Sequence, residues 1–273
     1  MISADLWGCL GNQMFQIATT RSLAIDNNDT ECFDISGHRL GLQGFCATKY
    51  KDNIYSKIVD EILNNPVPYN EREMFKYDKI KYISNIKLFG YFQTSKYFDH
   101  NEKEIKDLFS IPEDIKDKLL SFISKTNVDN KTTISLHVRR GDYLGYPDIH
   151  PFVGIGYINE AISKFIDCYI YVISDDINWC INNIKSNNNK LYFVDEFEDY
   201  EQLYLISLCE HNIISNSTFG WWGSYLNNND NKIVIAPSIW YKRDNQDNLD
   251  IHTNYMTIID NSKFINNDNI EIN

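Results

Sequence analysis

Between Thr132 and Ala236 short apolar runs alternate with helical segments, and this rhythm constrains the fold more than any other feature of the chain. The spacing predicts strands at Thr132–Val138, Tyr169–Ile173, Leu191–Val194, Asn212–Ile214 and Ile233–Ala236. Helical periodicity falls at 156–166, 200–209 and 219–226. Strands separated by helices imply a parallel sheet with right-handed crossovers. The beginning of the chain repeats the theme. Ile2, Ala4 and Leu6 alternate with Ser3, Asp5 and Trp7 as in a half-buried strand, and Gly8–Gln13 turns the chain. Met14, Ile17, Ala18, Ala24 and Ile25 then recur at helical spacing over 12–25. Further elements are predicted as a helix near Ile54–Leu63, a strand at Ile86–Phe92, and short helices at Asp99–Phe109 and Ile115–Ile123. The polar stretch Ser124–Lys131 reads as a linker. It divides the chain into 1–127 and 128–273. The C-terminal stretch from Lys242 is poorly patterned and either packs back on the first domain or frays.

With 273 residues, 43% of them hydrophobic, the chain can bury one large core or two modest ones. A formal net charge of −12 argues against a nucleic-acid or anionic-membrane partner, so any phosphate site has to be local. No apolar run reaches membrane-spanning length, and the N-terminus lacks a signal-peptide pattern. The six cysteines (Cys9, Cys32, Cys46, Cys168, Cys180, Cys209) form no C-x-x-C pair and no metal spacing. They read as free thiols of a reducing, cytoplasmic compartment. The sequons at Asn28, Asn130 and Asn216 are then incidental.

Three predicted strand ends carry polar clusters: His137/Arg139/Arg140, Ser174/Asp175/Asp176 and Asn216/Ser217/Thr218. In a parallel sheet such ends meet along one edge, where ligands bind. Arginine forks match phosphate oxygens bidentately. Ser217 and Thr218, just ahead of a helix, are either N-caps or hydroxyl partners of the same anion. Asp175 and Asp176 either cap the next helix or accept the two N–H donors of a guanine edge. His137 is either a satisfied core histidine or a ligand contact, and Trp221 and Trp222 suit the core. Arg140-Gly141-Asp142 also spells an adhesion tripeptide, which the lack of a secretory segment disfavours. No Asp-x-Asp announces a divalent metal, so the arginines are expected to neutralise the phosphates themselves, with no metal and no cofactor. No zinc spacing, Walker loop or Ser-His-Asp order is present.

Taken together these residues resemble the α-1,2-fucosyltransferases. Gly8–Gln16 is similar to the family's GGLGNQMFQ opening, and Gly90–Phe98 to its GYFQSxKYF segment. His137–Tyr143 is similar to the HxRRxDY motif that the family shares with α-1,6- and protein O-fucosyltransferases. Ser174–Asp176 and Ile214–Gly223 resemble the two remaining blocks. The matches run in family order from residue 8 to about Trp240. Departures are Cys9 for a glycine, Ile17 for a common tyrosine and Gly220 for a common serine.

The resemblance implies an α/β fold of GT-B type, with two Rossmann-like domains and an inter-domain active-site cleft. The first domain would face the acceptor and the second would bind GDP-fucose. It implies metal-independent, inverting transfer of L-fucose from GDP-β-L-fucose to the 2-hydroxyl of a galactose-terminated glycan. Arg139 would hold the β-phosphate and stabilise the departing GDP, with Arg140 in structural support. His137 with Asp175 or Asp176 would contact guanosine. Asn216, Ser217, Thr218 and the Phe219 backbone would complete the donor site, and Asn12 would reach the fucose and phosphate. Asp142 is either the general base or structural. Two other readings stand beside this one: a glycosyltransferase with another GDP-sugar or linkage, and a binding protein without turnover.

Overall fold

The computed structural model describes residues 1–36, 47–242 and 249–265. Cys46 lies outside the described residues. Strand β1 (Ile2–Ala4) is buried on both faces, Ser3 included, and pairs with a strand on either side. The half-buried alternation expected here is therefore corrected to a central strand. After the turn at Gly8, where φ is +79°, helix α1 runs Leu10–Asp26, longer than predicted. Strands β2 (Glu31–Cys32), β3 (Val67–Asn70) and β4 (Ile86–Phe89) complete a parallel sheet in the order β2-β1-β4-β3. Helix α2 covers Glu102–Leu108, after a 3-10 turn at Asp99–Asn101.

The helix expected near Ile54–Leu63 is not formed. Those residues make turns, and Phe33 bridges to Asp60. Ile54 and Tyr55 are buried but Val59 and Ile62 are exposed, so the segment buries only its first apolar residues and not a continuous stripe. Strands β2 and β3 escaped the sequence reading because they are very short and lie at the sheet's edges.

The second unit begins earlier than the predicted linker. Helix α3 (Glu113–Thr126) groups with the second half of the chain, moving the division from residue 128 to Glu113. The Phe122 ring packs against Tyr171, Tyr192 and Phe197, and the Thr126 hydroxyl lies 2.7 Å from the Tyr171 hydroxyl. Ser124–Lys131 is thus a helix end and an Asn127-capped turn, with Asn127 bonded to the Lys131 backbone at both its amide nitrogen and oxygen.

The next elements are β5 (Thr133–Val138), α4 (Ile155–Ile162), β6 (Tyr169–Ser174), α5 (Ile177–Asn183), β7 (Lys190–Val194) and α6 (Asp199–Leu208). Then come β8 (His211–Ile213), α7 (Thr218–Leu226), β9 (Val234–Pro237) and β10 (Met256–Ile259). All strand pairs are parallel, in the order β10-β9-β8-β5-β6-β7. The edge strand β10 has no sequence signal; it is four residues long, and its middle two are exposed. The short segment around Asp250, by contrast, groups with the first unit, where Asp250 accepts from Lys96 Nζ at 2.6 Å and from the Tyr77 amide at 2.8 Å.

The order of the second sheet matters for function. From β5 the chain builds outward through β6 and β7, then returns to lay β8, β9 and β10 on the other side. The β5/β8 junction is therefore a topological switch point, the place where an open α/β sheet leaves a crevice at its carboxyl edge. Helix α7 is held close to α6, because a methyl on Gly223 would collide with Ile206. Gly223→Val should overpack this contact and cost about 2 kcal/mol. Urea unfolding with an unchanged midpoint would show that α7 is not fixed this way.

Candidate functional site

The ends of β5, β6 and β8 meet as expected, and side chains stitch them together. Ser215 donates through Oγ to the His137 carbonyl at 2.9 Å and accepts the Arg139 amide at 3.1 Å. This locks the loops after β5 and β8 across the switch point. From the β6 side, Asp175 accepts the Arg140 amide on Oδ1 at 2.9 Å and the Gly141 amide on Oδ2 at 3.0 Å. A methyl on Gly141 would fall 2.8 Å from Asp175 Oδ2, so in this chain glycine allows the close approach of the loop to that carboxylate.

The two arginines have different surroundings. Arg140 turns inward, with Nη1 2.5 Å from Asp176 Oδ2 and its guanidinium 4.7 Å from the Trp179 ring centre. It is spent on structure. Arg139 is about as exposed as Arg140, 24% against 19%, and differs in its partners, with Nη2 2.8 Å from Asp142 Oδ2 and Nη1 3.3 Å from Asp175 Oδ2. Burial lowers its pKa and the two carboxylates raise it, and the carboxylates win. The Arg139 guanidinium is thus held at a strand end between two carboxylates.

Ser217 is the N-cap of α7, its Oγ accepting the Phe219 amide at 3.4 Å, while Thr218 opens the helix half-buried. Asp176 likewise caps α5 through the Trp179 amide at 3.2 Å. Asn216 is a buried clamp whose Nδ2 donates to the carbonyls of Pro151 (2.9 Å) and Trp240 (3.0 Å). His137 is packed rather than open, 4% exposed and tilted against Phe219 at 5.2 Å. Its Nδ1 finds no hydrogen-bond partner among the described residues and sits against Gly220. Trp221 and Trp222 are fully buried.

Three participants escaped the sequence reading. Ser215 lies inside one of the family motifs, where nothing in its residue type assigns it a role. Tyr143 donates its hydroxyl to the Asn216 carbonyl at 2.9 Å and lies under the Arg139 guanidinium at 5.6 Å. His150 stacks on Tyr143 at 4.9 Å, and burial lowers its pKa. A histidine beyond the motif carries no local spacing that would announce it.

Asn12 lies on the first unit, in the first turn of α1, and accepts from Gln93 Nε2 at 2.7 Å. It thereby joins the two motif segments of that half. Among the described residues no three of His, Cys, Asp and Glu gather to hold a metal ion, and no helix is long and apolar enough to cross a membrane.

A family model described as glycosyl transferase family 11 matches residues 1–257. The chain belongs to that family. An O-antigen biosynthesis glycosyltransferase, WbnK, of Escherichia coli is 30% identical, over 89% of this chain and 96% of the relative. An α-1,2-colitosyltransferase of the same organism is 28% identical over 92% and 96%. Galactoside α-(1,2)-fucosyltransferase 1 of Bos taurus is 26% identical over 81% of this chain and 65% of that longer protein. Among solved structures, the fucosyltransferase NodZ from Bradyrhizobium superposes with a TM-score of 0.52 at 12% identity, covering 81% of this chain and 90% of that one. That likeness shows the fold, two parallel α/β sheets of GT-B type. The family 11 chain is accordingly a glycosyltransferase.

The packing of His137 generates a pH dependence. Burial first, and the neighbouring Arg139 charge second, push its pKa down to about 3. An unfolded histidine takes a proton near pH 6.5 while the native one does not. The stabilisation is therefore complete above pH 6.5 and is lost as pH falls from there toward 3. Between pH 7 and pH 5 this one group should remove about 2 kcal/mol of stability. His137→Phe should flatten the decline by that amount in urea titrations, and an unchanged slope would show that the ring is protonated in the folded state.

Proposed function

We propose that this family 11 glycosyltransferase transfers L-fucose from GDP-β-L-fucose to the 2-hydroxyl of a galactoside, inverting the anomeric centre without a metal. The observation that carries the reading is the Arg139 guanidinium, held at a topological switch point beside the N-terminus of α7. Departure of a diphosphate requires neutralising charge on the leaving oxygens, and a preorganised cation in a partly dry site does this well. The cap region of α7 adds hydroxyls and the positive end of a helix. Relatives named for α-1,2 transfer support the linkage, and the bovine relative's name supports the galactoside.

Asp175 and Asp176 act first through the loop and arginine they hold. Their side chains remain about a quarter exposed. Carboxylate oxygens accept more than one hydrogen bond, which leaves capacity for the N1–H and N2–H₂ donors of guanine. Asp142 is the Arg139 partner that a phosphate would displace. Once released it is a carboxylate of the right type to take the acceptor hydroxyl proton. Asn12 is assigned to the sugar side of the reaction on the resemblance. We place the enzyme in the cytoplasm, a reading supported by buried free thiols at Cys32, Cys168, Cys180 and Cys209.

The colitosyltransferase relative favours a second donor reading. Colitose is fucose without its 3-hydroxyl, so the two donors differ by one hydrogen-bonding group. A comparison of GDP-fucose with GDP-colitose against a β-galactoside, read by product NMR, separates them.

Turnover with GDP-fucose should persist with EDTA throughout. Under that condition Arg139→Ala should lose about 10²-fold or more in kcat. Arg139→Lys should recover little, because one ammonium cannot reproduce the planar fork. Full activity of the Lys variant, or dependence of the wild type on added manganese, would contradict this account of leaving-group stabilisation.

A further inference from the structure

The first unit carries its own switch point. Its sheet runs β2-β1-β4-β3, so the chain leaves β1 in one direction for β2 and places β4 on the other side. The segments after β1 and β4 emerge side by side at the carboxyl edge. They present a pair of aromatic rings. Trp7 and Tyr91 stack with centres 5.4 Å apart and planes 17° from parallel. Although Tyr91 covers one side of the indole, Trp7 remains 39% exposed.

The fold invests in holding these rings. Gln16, on α1, accepts the Trp7 amide at 3.1 Å and donates Nε2 to the Trp7 carbonyl at 3.3 Å and the Gly90 carbonyl at 3.1 Å. Both loops are thereby tied to one buried amide. On the other side the Glu71 carboxylate accepts the Tyr91 amide at 2.7 Å and the Phe92 amide at 3.0 Å. Phe92 sits at φ +52°, a conformation that a bulky residue adopts only when its surroundings impose it. Strain of this kind gathers at binding sites. The Asn12–Gln93 amide pair lies in the same turns, since a methyl on Gly8, next to Trp7, would strike Asn12.

We propose that the outer face of Trp7, backed by Tyr91, is the platform on which the acceptor sugar ring stacks; the proposal rests on the sugar-transfer reading above. An aromatic face is the negative side of its quadrupole, and it attracts the weakly positive C–H face of a pyranose. Galactose presents such a face. The ring's hydroxyls then meet amides, which donate and accept, rather than fixed charges. Among the described residues near this edge, Lys87 is committed to Asp5 at 2.6 Å and Arg72 to Asp78 at 3.1 Å, so the surface suits a neutral sugar better than a phosphate.

The probe is methyl β-D-galactopyranoside, with GDP present, followed by saturation-transfer NMR and by its KM as acceptor. Ring C–H protons should carry the strongest signals on the wild type. Trp7→Ala should lose those signals and raise KM about tenfold, with GDP affinity unchanged, while Trp7→Phe keeps most of both. Gln16 holds the Trp7 backbone rather than its ring, so the Ala variant should melt like the wild type. If it does not, Trp7→Gln, which keeps bulk without an aromatic face, carries the same test. Unchanged signals and KM in a folded non-aromatic variant overturn the platform, as does a wild type that gives no galactoside signal. A wild type whose galactoside signal depends on Trp7 but which transfers no fucose supports the platform and overturns the donor reading instead.

Discussion

The site depends on one carboxylate. Asp175 gathers the amides of Arg140 and Gly141 and approaches the Arg139 guanidinium, so the loop after β5 takes its shape from a side chain at the end of β6. Neither arginine could be aimed by its own short loop. Arg140 is drawn inward by Asp176 and Trp179, and Arg139 is left at the surface of the crevice with Asp142 on its fork. The adjacent arginines of the motif thus differ in their partners, one held by Asp176 and Trp179 and the other, which we propose binds the donor, by Asp142 and Asp175. Because a charge-assisted pair in a partly buried place is worth more than a surface pair, the arrangement keeps Arg139 ordered ahead of the ligand.

Sheet order turns these local contacts into a site. In each unit the strand order reverses beside a central, buried strand, and in each the polar and aromatic groups collect at that reversal. In the second unit they are arginine, carboxylate and a capped helix start, suited to an anion. In the first they are indole, phenol and paired amides, suited to a neutral ring. These are the chemistries that we propose for a donor diphosphate in the second unit and an acceptor sugar in the first.

Much of this was legible in the sequence. The β-α-β rhythm after Thr132 is carried by long, fully buried strands such as β5, whose apolar residues leave little ambiguity. The three polar strand ends were recognisable because each comes directly after such a run. What escaped was set by contacts between distant residues. The segment near Ile54 imitates helical spacing but buries Ile54 and Tyr55 while exposing Val59 and Ile62, and β2, β3 and β10 are short strands at sheet edges. His137 illustrates a deeper limit. Its type and place left a satisfied core histidine and a ligand contact both open, and the packing of Phe219 and Gly220 shows a buried ring whose pKa burial lowers. Ser215 and Gln16 are ordinary polar residues in sequence and become fasteners only when two strand ends are brought together.

We propose Arg139 as an anion fork held ready by Asp142. A crystal structure with GDP tests it most directly. A diphosphate oxygen should lie about 3 Å from the Arg139 guanidinium, with the Asp142 carboxylate displaced from it while Asp175 keeps the Arg140 and Gly141 amides. A diphosphate bound elsewhere, with the Arg139–Asp142 pair intact, would contradict it.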